Sequence, residues 1–146
     1  MKNILLIDDD NVKISKIVSF INEKNEYSIT IANALNPGLK KVLKESYDFI
    51  LLDMSLPTFD SAESGYFNSF GGIDFLKEMK RKKITIPVII VTQYEIFGEG
   101  SGRKTSEDID VDCKKIFNNY VGIVIFSSTN DNWKNELLKC IGEING

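Results

Sequence analysis

The stretch Phe49 to Pro57, FILLDMSLP, runs four apolar residues into a single acid, Asp53, and meets a proline four positions later. FILL does not alternate apolar with polar, so it predicts a short strand covered on both faces, and Asp53 then stands at its carboxyl end. Four more runs read the same way: NILLI (3–7), YSITIA (27–32), IPVIIV (86–91) and GIVIF (122–126). Only the second alternates, with Tyr27, Ile29 and Ile31 separated by polar or small partners, which suits an edge strand.

Helical periodicity fills the gaps between these runs. Ile14, Ile17, Val18 and Ile21 share one face of 11–24, and Leu39, Val42 and Leu43 do so after NPG, where Asn36 can cap and Pro37 can open the helix. Ile73, Leu76 and Met79 mark a third helix. Ile109, Cys113, Ile116, Phe117 and Tyr120 mark a fourth, and Trp133, Leu137, Cys140, Ile141 and Ile144 a fifth. Strand and helix in strict alternation predict an α/β fold, a doubly wound five-stranded parallel sheet with helices on both faces. Residues 1–146 are expected to form one domain, with no residues left for an output domain. Two connections, at about 58–71 and 94–105, exceed the usual length of roughly 2–6 residues. Both follow carboxyl ends of strands, the edge where open parallel sheets bind ligands.

Composition removes several functions. The 146 residues are 42% hydrophobic and 27% charged with a formal net charge of −3, which gives no field favouring nucleic acid or an anionic membrane. The chain has no histidine, so Ser-His-Asp and Cys-His catalysis are excluded within it, as are the common zinc spacings. Cys113 and Cys140 read as small core residues. The opening MKNILLIDDD is too short in its apolar run for a signal peptide or membrane span, and a cytoplasmic protein is expected. GEGSGRKT (98–105) is not a phosphate loop, because Arg103 separates Gly102 from Lys104 and the preceding strand is the fourth.

Carboxylates, hydroxyls and lysines are therefore left to carry whatever chemistry exists. The first strand ends in Asp8, Asp9 and Asp10 and the third in Asp53; if those strands are neighbours, their acids face one crevice. Two carboxylates about 4 Å apart repel by roughly 4 kcal/mol at an effective dielectric of 20, which a divalent cation or a raised pKa must offset. Hard oxygen ligands point to Mg2+. Asp10 or Asn11 can equally serve as the cap of the helix that follows.

ILLIDDD, YDFILLDMSLP and IPVIIVT, in this order and at strand ends, resemble the receiver domain of two-component response regulators. The resemblance implies a flavodoxin-like receiver fold with sheet order 2-1-3-4-5. It also implies Asp53 as phosphoryl acceptor, Asp8 and Asp9 as Mg2+ ligands with Asp53 and the backbone carbonyl of Ser55, and Thr92 as the hydroxyl that contacts a phosphoryl oxygen. The partners implied are a histidine kinase or phosphotransfer protein as donor and a downstream protein target, reached through the fourth helix, fifth strand and fifth helix. The role is signalling and not enzymatic turnover.

Two residues depart from that pattern. Receivers carry a lysine at the end of the fifth strand, but here GIVIFSSTNDNW puts Phe126 or Ser127 in its place, and no lysine occurs between Lys115 and Lys134. Gln93 follows Thr92 where a small residue is usual, narrowing access. Either Lys104 or Arg103 reaches back from the second connection to supply the cation, or both are solvated ahead of a helix capped by Thr105. The competing function is an unphosphorylated pseudo-receiver acting as a protein-binding module. The aromatic residues Tyr66, Phe67 and Phe70 of the first connection offer either a partner surface or packing against the next helix, and Trp133 reads as a core anchor.

Overall fold

The computed structural model describes residues 2–57, 67–68 and 70–146. Five parallel strands form the sheet: β1 (Lys2–Ile7), β2 (Tyr27–Ala32), β3 (Phe49–Leu52), β4 (Val88–Thr92) and β5 (Tyr120–Ile125), in the order 2-1-3-4-5. Leu6 lies opposite Ile31 on one side and Leu51 on the other, Leu52 opposite Ile90, and Thr92 opposite Ile125. Five helices among the described residues cover it: α1 (Asn11–Asn22), α2 (Leu35–Lys44), α3 (Gly71–Arg81), α4 (Ser106–Ile116) and α5 (Asn132–Asn145).

Because side chains alternate along a strand, β1 sends Ile4 and Leu6 one way and Leu5 and Ile7 the other. The first pair joins Phe49, Leu51, Ile89 and Val91 against α1 and α5, where Ile17, Trp133 and Leu137 are buried. The second joins Ile50, Leu52, Val88 and Ile90 against Val42, Phe75, Met79, Ile109 and Cys113 of α2, α3 and α4. Both faces of the central strands are sealed, as their unbroken apolar runs require.

The differences from the expected elements have local causes. Helix α2 starts at Leu35 after Ala34, which makes no side-chain cap, so Asn36 and Pro37 lie inside the first turn. Proline is tolerated there because the first N–H groups have no partner within the helix. Gly38 is consumed by packing: a Cβ on it would stand 2.8 Å from Ile7 Cδ1, so its lack of a side chain lets α2 close on β1. Leu43 and Ile116 are exposed rather than core-facing. Tyr120 belongs to β5 and not to α4, yet its hydroxyl donates to Asp110 Oδ1 at 2.6 Å, so it keeps a helix contact from the strand. As an edge strand, β5 alternates buried and half-buried residues instead of being covered throughout.

The long connections leave the carboxyl edge as narrow antiparallel clasps. Leu56–Pro57 pairs with Phe67–Asn68, and Ile96–Phe97 with Lys104–Thr105. Most of the connection at about 58–71, including Tyr66, lies outside the described residues, as does the side chain of Phe67. Phe70 folds inward and stands 6.4 Å from the ring of Phe97, which is buried in the α2–α4 core. Trp133 is a core anchor, with Phe126 5.0 Å and Phe20 5.4 Å from its ring.

Candidate functional site

The strand ladder fixes the acids. The Asp8 N–H donates to Ala32 O at 3.0 Å and the Asp53 N–H to Ile7 O at 2.9 Å, so both residues extend the sheet by one rung beyond its last apolar residue. Asp8 shares the parity of Leu6, and Asp53 that of Leu51, so both carboxylates turn toward the α1 side. One oxygen from each of Asp8, Asp9 and Asp53 falls within 4.8 Å of the others. Asp8 and Asp53 are buried, and Asp9 is half-buried. Asp8 Oδ1 accepts from the Asp10 N–H at 3.0 Å, and Asp53 Oδ1 from the Met54 N–H at 2.8 Å. Asp10 is the cap of α1, its Oδ1 accepting from the N–H groups of Val12 and Lys13 at 3.0 and 3.2 Å.

Helix α3 can come down beside Asp53 because of Gly72. A Cβ there would lie 2.8 Å from Asp53 O and 3.1 Å from Met54 Cα, and its N–H donates to Met54 O at 2.8 Å. The residue that follows Asp53 is thereby tied to a helix N-terminus.

Lys13, from the first turn of α1, enters the cluster. Its Nζ stands 2.7 Å from Asp8 Oδ2 and 3.1 Å from Asp53 Oδ1, and donates to Val91 O at 2.6 Å. The Asp8 contact is an ion pair without hydrogen-bond alignment. This residue was not among the expected site residues, although a signal existed: positions 13, 17 and 21 lie one turn apart on α1, so Lys13 continues the stripe of Ile17 and Ile21 into the protein.

Burial dominates the electrostatics. It pushes the Asp53 carboxyl up to about 7 from 3.8, with Asp8 and Asp9 adding repulsion and Lys13 pulling the other way. Asp9 is raised as well, by burial first and by Asp8 second. Formally, three carboxylates and one ammonium leave a charge of two minus in a group of hard oxygens. That donor set fits Mg2+, for which Asp9 offers the most accessible carboxylate.

Thr92, the last residue of β4, is fully buried, and its hydroxyl accepts from the Tyr94 N–H at 3.3 Å. Ser55 is buried two residues beyond Asp53. Gln93 reaches over to the β1–α1 loop, its Nε2 donating to Asp10 Oδ2 at 3.4 Å. The ambiguity at the end of β5 resolves to Phe126: its N–H donates to Thr92 O at 2.8 Å, and it shares the face of Val124 toward α1 and α5. Its ring is committed to Trp133.

The idea that Lys104 or Arg103 reaches back to this site is not what the fold does. Lys104 pairs with Asp112 of α4 at 2.8 Å, and Arg103 is exposed. Thr105 and Asp108 form a reciprocal cap on α4, so the charges before it are solvated and local. Gly100–Gly102 makes a single 3-10 turn inside the second clasp, so GEGSGRKT is a hairpin tip and not a phosphate cradle.

Residues 4–97 match the family model of the response regulator receiver domain. Among curated proteins, the chain is 34% identical over 148 residues to the Detocs response regulatory protein DtcB of Enterobacter cloacae (strain JD6301), covering 96% of this chain and 99% of that protein. A CheY-like receiver domain protein from Methanospirillum hungatei JF-1 superposes with a TM-score of 0.67 at 21% identity, over 99% of this chain and 94% of that one. Response regulator protein TrrA from Thermotoga maritima, solved in complex with Mg2+-BeF, gives a TM-score of 0.62 at 22% identity, over 96% and 99%.

Proposed function

Because the chain belongs to the response regulator receiver domain family, we propose that it accepts a phosphoryl group on Asp53 in the presence of Mg2+ and relays that event by protein contacts. The observation that carries this reading is the convergence of Asp8, Asp9 and Asp53 within 4.8 Å at the carboxyl edge of β1 and β3. Asp9 and Asp53, with Asp8 and the backbone carbonyl of Ser55, are the residues that would hold Mg2+. When bound, the ion supplies positive charge to the transferring phosphoryl oxygens. Response regulator protein TrrA, whose fold is similar, was crystallised with Mg2+-BeF, which is in keeping with an Mg2+ role for this fold.

Asp53 is the nucleophile, held rigidly by the strand end and by the Met54 N–H on Oδ1. The donor is a phosphohistidine, and because the chain has no histidine of its own it must lie on another protein, a histidine kinase or phosphotransfer protein. It acts as a cytoplasmic signalling module without turnover of its own; no helix among the described residues is long and apolar enough to cross a membrane.

The relay starts at Thr92. Its hydroxyl now holds the Tyr94 N–H, and the next carbonyl in line, Glu95 O, accepts from the Ser106 N–H of α4 at 2.8 Å. A phosphoryl oxygen that draws the Thr92 hydroxyl toward Asp53 releases Tyr94 and shifts the segment tied to the start of α4. The downstream target then reads the face made by α4, β5 and α5.

Intact-mass measurement after incubation with Mg2+ and acetyl phosphate tests the proposal. The wild type gains one phosphoryl group and Asp53→Asn gains none; a wild type that stays unmodified refutes it. The Gln93 to Asp10 hydrogen bond across the mouth favours one second reading, an unphosphorylated binding module, and predicts that unmodified outcome.

A further inference from the structure

We propose that Lys13 is the fixed cation of the acceptor site, supplied from the first turn of α1 in place of the lysine expected at the end of β5. The proposal rests on Asp53 being the acceptor. Three observations carry it.

The first is position. Lysine is rarely fully buried, and a cation near a helix N-terminus is opposed by the helix dipole, yet Lys13 is 1% exposed in that setting, with two carboxylates and a carbonyl around its Nζ. An ammonium has three N–H groups, and Nζ has three oxygen neighbours: Asp8 Oδ2, Asp53 Oδ1 and Val91 O. It is rooted at its other end as well, since its backbone N–H is held by the Asp10 cap.

The second is vacancy of the alternative. Phe126 faces the same side of the sheet as Asp53, but its ring packs against Trp133 at 5.0 Å and a 49° tilt, so this strand end offers core packing and no charge. Of the other cations considered, Lys104 pairs with Asp112, Lys16 donates to Ser128 O at 3.0 Å, and Arg103 is exposed on the second clasp.

The third is charge. Counted formally, with all three acids ionised and Lys13 in place, the cluster carries two negative charges, the number a divalent cation balances. The ammonium lies inside the cluster, and Asp9, the accessible carboxylate, would remain to hold a divalent cation.

In the transfer itself, Asp53 Oδ2 forms a bond to phosphorus while the bond from phosphorus to the donor's nitrogen or oxygen breaks, and that electron pair leaves with the donor. Asp53 becomes a mixed anhydride and loses its carboxylate charge. Lys13 keeps all its protons. The N–H that held Oδ1 then faces a neutral carbonyl beside a new phosphoryl anion and turns to the latter, stabilising charge where it develops.

Lys13→Met and Lys13→Arg test this on the full chain, with acetyl phosphate as donor at saturating Mg2+. Intact mass gives the phosphorylation rate, and thermal shift against Mg2+ alone gives the metal affinity. Lys13→Met should phosphorylate about 100-fold more slowly, yet bind Mg2+ at least as tightly because a neighbouring positive charge is gone, and Lys13→Arg should recover part of the rate. A Lys13→Met rate within about 3-fold of wild type, or a fall in rate matched by weaker Mg2+ binding, overturns the role, the second outcome because it signals a collapsed site. If the methionine variant does not fold, Lys13→Gln carries the same expectations. A wild type that gains no mass overturns the proposed function and this role together, and it is told apart because the wild-type arm alone reads it.

Discussion

Replacing Asp53 by asparagine should stabilise the metal-free protein, and more so at higher pH. The carboxyl is 3% exposed, and burial, with the charges of Asp8 and Asp9, pushes it up to about 7 against the opposing pull of Lys13. A value raised above 3.8 means that the native chain holds the proton more tightly than the unfolded chain does. Between about pH 4 and about pH 7 the native state thus carries more protons, and stability falls as pH rises through that window. A rise from 3.8 to about 7 corresponds to about 4 kcal/mol at most. Part of that cost is already present at about pH 5, and the cluster titrates jointly, so the change between about pH 5 and about pH 8 should be on the order of 2 kcal/mol. Asparagine removes this slope. Urea unfolding in EDTA, followed by the fluorescence of Trp133, the single tryptophan and a buried one, measures it in both proteins. An asparagine variant no more stable than wild type at about pH 8, or ahead by the same margin at both values, would refute the claim that the acceptor's ionisation strains the fold.

Gly72→Ala should place a methyl group against the backbone of Asp53 and Met54; overpacking of about 1–3 kcal/mol outweighs the gain of about 1 kcal/mol in helix propensity. Its thermal midpoint and its rate of phosphorylation should both fall. Lys104→Ala should leave that rate unchanged, because the side chain is bound to Asp112; a slower rate by intact mass would return Lys104 to the site. Tyr120→Phe should cost about 1.5–3 kcal/mol in urea unfolding, since Asp110 loses a short hydrogen bond from a buried phenol.

How much of this was legible from the residues follows from where each signal is stored. The sheet was readable because burial on both faces forces unbroken apolar runs, and NILLI, FILL and IPVIIV contain little else. The acids were readable because a charge that ends such a run has few reasons to be there. Caps were less so. Asn36-Pro37-Gly38 looks like a helix start by composition, yet Gly38 answers to Ile7, a contact 31 residues away that no local pattern encodes. Tyr120 was drawn into α4 by its spacing, although its bond to Asp110 runs from strand to helix. The cation was the hardest. A search for it by family position looks at the end of β5, where Phe126 closes the question, and the long second connection then offers Lys104. Charge, however, is recruited through space and not along the chain. Any lysine whose stem can cross the core face will do, provided that its ammonium meets carboxylates there, and Lys13 reaches Asp8, Asp53 and Val91 O from one helical turn beyond the first acids. A lysine in line with two buried isoleucines on an amphipathic helix is thus itself a site signal when acids end the neighbouring strands. An ammonium pointed inward must find negative charge there or leave the fold unstable.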